Sequence, residues 1–140
     1  MSHRSFIKVR GYHLDVYQHV NNARYLEFLE DARWEYLEES GDIDAFQKMG
    51  LAWVIVNINI NYRNSASMGD ELAIDTGLSK VGNSSAVFHQ KIWLKDTETI
   101  VADADITFVI LDPKTGKATK IAGEIRERML THLNAGGEEL

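Results

Sequence analysis

Residues 11–37, GYHLDVYQHVNNARYLEFLEDARWEYL, decide how the rest of the chain is read. The first half is polar and has no clean period: His13, Asp15, His19, Asn21 and Asn22 fall within ten residues. The second half is helical. Tyr25, Leu29, Ala32 and Tyr36 recur at helical spacing, and Leu26, Phe28, Trp34 and Leu37 widen the stripe well beyond a narrow seam. A helix over 23–39 that is this apolar has to be largely buried. Asn21 or Asn22 suits its N-cap, where a side-chain oxygen accepts from a free N–H of the first turn. Ser40 and Gly41 end it. Polar side chains gathered at the entrance of a buried helix are costly unless they have partners or a task.

Outward from this stretch, the period changes. Residues 5–10 alternate weakly and predict a short strand closed by Gly11. Residues 43–49 predict one or two short helical turns before Gly50. From Val54 the period is two: Val54, Val56, Ile58, Ile60 and Tyr62 alternate with Ile55, Asn57, Asn59 and Asn61. Asparagine is depleted in strands, so the asparagine face meets solvent, another subunit or a ligand. Strands are also predicted around Leu72–Ile74–Thr76–Leu78, around Ala86–Phe88–Ile92–Leu94, and across 99–111. Asp112-Pro113-Lys114-Thr115-Gly116 marks a tight turn. Ile121, Ile125, Met129 and Leu133 are four apart and predict a C-terminal helix. One strand, one long buried helix and four or five strands with short connections imply an antiparallel sheet and an α+β fold. One helix covers only part of such a sheet, so the sheet curls around it or a second subunit covers the rest. A single domain over 1–133 with a disordered tail at 134–140 is expected.

Composition sets the outer limits. The 140 residues are 44% hydrophobic and 26% charged, ordinary for a globular domain with a real core. No cysteine is present, which excludes a thiolate nucleophile, disulfides and cysteine-bound zinc, and fits a reducing, cytoplasmic setting. No signal peptide is seen, and the longest apolar run, residues 51–56, is far too short for a membrane span. A net charge of −6 argues against nucleic acid as a partner.

There is no G-x-S-x-G elbow, P-loop or dinucleotide glycine motif. From spacing alone, the polar loop admits three readings: a metal site of His13, Asp15 and His19, an ordinary loop, or an active site. In the last, Asp15 is a base or nucleophile, and N–H groups at the helix entrance near Asn22 polarise a carbonyl oxygen. Tyr25 belongs mainly to the core. Arg63 and Lys80 are the cations to consider for a ligand phosphate, beside the plainer role of solvated surface charge.

Two blocks then carry a resemblance. D-V-Y-Q-H-V-N-N-A-R-Y-L-E-F-L-E-D-A-R (residues 15–33) is similar to the signature of hotdog-fold acyl-CoA thioesterases of the 4-hydroxybenzoyl-CoA thioesterase group. I-N-Y-R (60–63) followed by G-D-E-L (69–72) supports it. The runs K-V-R-G-Y-H-L-D-V-Y-Q-H-V-N-N-A-R-Y-L-E-F-L-E and V-N-I-N-I-N-Y-R resemble the bacterial long-chain acyl-CoA thioesterase subgroup. Where relatives often place a proline after the Tyr-Arg pair, this chain has Asn64-Ser65-Ala66. The resemblance implies an antiparallel sheet wrapped around one central helix, and homodimers or homotetramers with active sites at the dimer interface. It implies hydrolysis of a medium- to long-chain fatty acyl-CoA without metal or other cofactor. It carries the catalytic carboxylate onto Asp15 and the polarising backbone N–H onto Asn22, with His19 in support and Tyr25 shaping the pocket. The rival expectations are an acyl-thioester dehydratase using His19 or His89, and a non-catalytic acyl-CoA-binding module.

Overall fold

The computed structural model describes residues 2–139. Asn21 has extended backbone, and its side-chain oxygen accepts from the Ala23 N–H at 2.9 Å, which opens helix α1 (Asn22–Ser40). Gly41, in the left-handed region at φ 77°, closes it. Six apolar or amphipathic residues of α1 are buried, among them Tyr25, Phe28, Leu29, Ala32 and Tyr36, as the helical stripe requires. A short helix α2 (Asp42–Lys48) follows directly.

The strands are β1 (Ser2–Lys8), β2 (Ala52–Tyr62), β3 (Glu71–Val81), β4 (Ser85–Leu94), β5 (Ile100–Asp112), β6 (Lys117–Ala118) and β7 (Leu133–Glu139), with helix α3 (Gly123–His132) before the last. They form one sheet in the order β1-β3-β4-β5-β2, with β6 on β5 and β7 on β3. Every pairing is antiparallel except β3 with β7. This is the α+β arrangement expected from the period changes. The inner face of the sheet holds Phe88, Phe108, Ile92, Ile106 and Ile110, all at most 2% exposed, with Leu29 of α1 among them.

Two details depart from the sequence reading. First, β2 does not keep one alternation. Its register against β5 shifts between Ile55 and Asn57, a bulge that leaves Val56 over. The row facing α1 is therefore Trp53, Ile55, Ile58, Ile60 and Tyr62, opposite the buried Ile110, Phe108, Ile106, Ala104 and Ala102. Asn57, Asn59 and Asn61 lie on the outer, exposed face, where Asn61 donates to Asp103 at 3.2 Å. Second, the stretch expected as a tail is described up to Glu139 as β7. It takes the edge of β3 at Leu78–Val81, where β1 has stopped at Gly77. Leu140 lies outside the described residues.

Polar clips fix the helices to the sheet. Gln90 on β4, fully buried, donates to the Leu29 carbonyl and to the Thr76 hydroxyl, and accepts from Arg33 at 3.0 Å. Arg128 and His132 of α3 both reach the buried Asp42 at the start of α2, at 3.0 and 3.3 Å. His3 of β1 sits between Glu35 and Glu39 of α1.

Candidate active site

The loop before α1 is a tight knot. Leu14 and Val20 form an isolated antiparallel bridge. Between them the Asp15 N–H donates to the His19 carbonyl at 2.9 Å and the Gln18 N–H to the Asp15 carbonyl at 3.1 Å. Gln18 takes the left-handed conformation at φ 64°, a backbone state that side chains other than glycine seldom adopt. The knot is tied down at both sides. The Val20 N–H donates to the Ala66 carbonyl and the Asn21 N–H to the His13 carbonyl, each at 2.9 Å.

His13 is a structural residue. It is 4% exposed, its ring meets Phe28 edge-on at 4.9 Å, and its Nδ1 accepts from the Arg10 N–H at 2.8 Å. An Nδ1 that accepts carries no proton, so the neutral ring has its hydrogen on Nε2. Burial lowers its pKa, nearby Arg24 lowers it further, and Glu27 opposes them.

Asp15 is half-buried, and its Oδ1 accepts from the Tyr17 N–H at 2.8 Å. The carboxylate lines an open cavity of about 470 Å³ together with Asn22, Tyr25, Tyr62, Arg63 and Asn64. Asn22 is the first residue of α1, so its N–H has no acceptor within the helix. The positive end of the helix dipole points the same way. Tyr62 donates its hydroxyl to the Asn22 carbonyl at 3.1 Å and sets its ring 5.6 Å from that of Tyr25. Tyr25 is 4% exposed; burial pushes its hydroxyl pKa up, and a backbone contact with Ala66 partly opposes this. A carboxylate and an uncommitted helix-entrance N–H on one cavity suit attack on a polarised carbonyl.

The family model described as the thioesterase-like superfamily matches residues 9–129. The chain belongs to that superfamily. The long-chain acyl-CoA thioesterase FadM of Escherichia coli K12 is 56% identical over 126 residues, 88% of this chain and 93% of the relative. The crystal structure of YbaW, a probable thioesterase from Escherichia coli, has 50% identity and a TM-score of 0.88, covering 94% of this chain and 98% of that one. The 12:0-ACP thioesterase of Umbellularia californica also reaches a TM-score of 0.88, at 14% identity, covering 97% of this chain and 55% of that one; it speaks for the fold alone. The fold is the hotdog implied by the motif blocks.

Within this thioesterase, the structure brings Asp15, Asn22, Tyr25 and Arg63 to one cavity, from a loop, a helix and a strand end. Arg63 stands at its lip with the guanidinium held by Asp103 at 2.7 Å, so a ligand phosphate there competes with a carboxylate. That pairing raises the Arg63 pKa and lowers that of Asp103. Lys80, on β3, lies outside this lining, as does the exposed His19, whose carbonyl rather than ring holds the loop. His89 pairs with Asp105 at 2.8 Å on the outer face of the sheet, away from the cavity. Tyr62 is the residue that the sequence reading missed. It was visible as the tyrosine of the second motif block, but its partner Asn22 is 40 positions away.

Proposed function

We propose that the chain hydrolyses a medium- to long-chain fatty acyl-CoA to the free acid and CoA, with Asp15 as the carboxylate that acts on the thioester. The observation carrying this is the meeting of Asp15 and the Asn22 N–H on one open cavity, in a chain of the thioesterase-like superfamily. The name of the Escherichia coli relative, a long-chain acyl-CoA thioesterase, supports the substrate class.

The thioester carbonyl oxygen points at the Asn22 N–H, which is oriented before any charge develops. As general base, Asp15 takes a proton from water while the oxygen of that water adds to the carbonyl carbon. The oxyanion is stabilised by the helix entrance, and collapse expels the CoA thiolate, a good leaving group. As nucleophile, Asp15 instead adds directly, expels the thiolate and leaves a mixed anhydride that water opens. Tyr25 and Tyr62 wall the pocket, and Arg63 attracts CoA phosphate at the lip. His19 orients the loop, while Lys80, outside the lining of this cavity, has no part in it. The machinery uses no metal or organic cofactor.

The functional unit is a homodimer or homotetramer in the cytoplasm, with the site beside the free edge of β2. No described helix is long and apolar enough to cross a membrane. The test is Asp15→Asn. Release of thiol from palmitoyl-CoA is expected to fall at least about 10²-fold, with folding and oligomeric size unchanged. Near-normal turnover overturns the assignment. In a single turnover in ¹⁸O-labelled water, label in the Asp15 carboxylate marks a nucleophile whose anhydride is opened at the aspartyl carbon, and trapping of the anhydride by hydroxylamine detects the nucleophile whichever carbonyl water attacks.

A further inference from the structure

Asn64 lines the cavity of Asp15 beside Arg63, and no step of the reaction above uses it. It stands two residues past the end of β2 and is exposed. Its amide is nevertheless fixed. The side-chain nitrogen donates to the Ile100 carbonyl at 2.7 Å, and the backbone N–H donates to the Val101 carbonyl at 3.2 Å. A carbonyl only accepts, so the nitrogen end of the side chain faces β5 and the oxygen end faces away from it. Among the described residues that oxygen has no donor. Most other polar groups of the cavity are committed. One Asp15 oxygen accepts from the Tyr17 N–H, and the Asn21 oxygen accepts from the Ala23 N–H. The Tyr62 hydroxyl is given to the Asn22 carbonyl, and Arg63 is held by Asp103. The Asn22 N–H serves the thioester oxygen. The Asn64 oxygen is then a neutral, preset acceptor for which the thioester group itself has no donor.

We infer that Asn64 is a specificity-determining residue: its Oδ1 accepts the N–H of the amide nearest the sulfur in a pantetheine thioester. The inference rests on the thioesterase reading above. CoA carries its acyl group on a sulfur followed by two methylenes and an amide nitrogen. That nitrogen is four bonds from the reacting carbonyl carbon, roughly 5 Å in an extended arm with bonds of about 1.5 Å. It therefore enters the same cavity of about 470 Å³ as the thioester. An amide N–H that leaves water and finds no acceptor weakens binding. A preset acceptor removes that loss without the cost of ordering a loose side chain. Arg63, charged, suits a phosphate farther along the arm, whereas Asn64, neutral, suits the amide. Asn64 thus reads the carrier of the acyl group and not the acyl chain.

Two neutral substrates isolate this contact. One is the decanoyl thioester of N-acetylcysteamine. The other is the decanoyl thioester of 2-acetoxyethanethiol, in which an ester oxygen replaces the N–H. Thiol release is measured with both for the wild type and for Asn64→Ala. A net hydrogen bond corresponds to about a fivefold change. The wild type is expected to show a kcat/KM about fivefold higher on the amide. Asn64→Ala is expected to lose about fivefold on the amide and less than about twofold on the ester, which brings the two substrates level. An equal loss on both marks a loop-holding role through Ile100 and overturns the inference, as does an unchanged preference in the variant. The decyl thioethers of the same two thiols cannot be hydrolysed, and calorimetry with them gives a readout without turnover. Tighter binding of the amide thioether, lost in Asn64→Ala, with no thiol release from either thioester sinks the functional reading alone. Thiol release with no preference for the amide sinks the Asn64 inference alone.

Discussion

His13 and Asp15 are two residues apart and have opposite duties. The imidazole is spent on holding the loop, since its Nδ1 accepts a backbone N–H and its ring is buried against Phe28. The carboxylate stays at the cavity wall, with one oxygen oriented by the Tyr17 N–H. Because burial depresses the His13 pKa, the unfolded chain binds a proton there more readily than the folded one. Both forms are neutral well above the ordinary histidine value of about 6.5. As pH falls through that value, only the unfolded state gains the proton, so stability falls until the lower folded value is passed. His13→Gln retains an acceptor for the Arg10 N–H and removes the titration. Urea midpoints measured at about pH 7.5 and about pH 5.5 are expected to differ less in that variant than in the wild type. An identical slope in both refutes the assignment. Tyr62→Phe removes the hydroxyl donated to the Asn22 carbonyl. A net hydrogen bond is worth about 1 kcal/mol, so steady-state kinetics should show kcat lowered about fivefold, with the fold retained.

The pairing of α1 with the sheet depends on one polar residue in an apolar row. Gln90 stands between Phe88 and Ile92 on the inner face of β4, and satisfies Leu29, Thr76 and Arg33 at once. Among the described residues it is the hydrogen-bond acceptor of the Arg33 side chain, whose guanidinium is largely desolvated. Gln90→Leu leaves that buried cation unsatisfied. Chemical denaturation is expected to show a loss of about 2–4 kcal/mol, and a change below about 0.5 kcal/mol means the network is ornamental. The pattern of β4 contained this signal, since glutamine occupies a position whose parity belongs to the core. Helix α1 and the antiparallel strands were legible because period and turn chemistry are local properties. The bulge at Val56 was not, because alternation reports that faces alternate and is silent on where one extra residue swaps them. That swap moved Trp53 and Ile55 onto the helix side. The partner edge for β7 was equally illegible, since it exists only because β1 stops short on β3.

At the scale of the whole molecule, β2 poses a problem that one copy of the chain leaves open. It is an eleven-residue edge strand without a charged residue or proline, and among the described residues nothing pairs with its second edge. Proteins usually blunt such edges with charge, proline or short length. Here Val54, Ile55, Val56 and Ile58 are all at least 36% exposed. In the proposed homodimer, a second copy related by a two-fold axis would pair the two β2 strands antiparallel and close both edges at once. The same contact would cover the exposed apolar side chains of β2 and set the cavity of Asp15, lined by Tyr62 at the end of that strand, beside the interface. Assembly and activity are then one property. Sedimentation equilibrium is expected to show a dimer or a multiple of it, and Val56→Lys, which places a charge on each meeting edge, to shift the protein toward monomer. Specific activity on palmitoyl-CoA should fall with the dimer fraction on dilution, and fall earlier in the variant. A wild-type monomer with full, concentration-independent turnover refutes the edge pairing, because the site beside β2 is then complete in one chain.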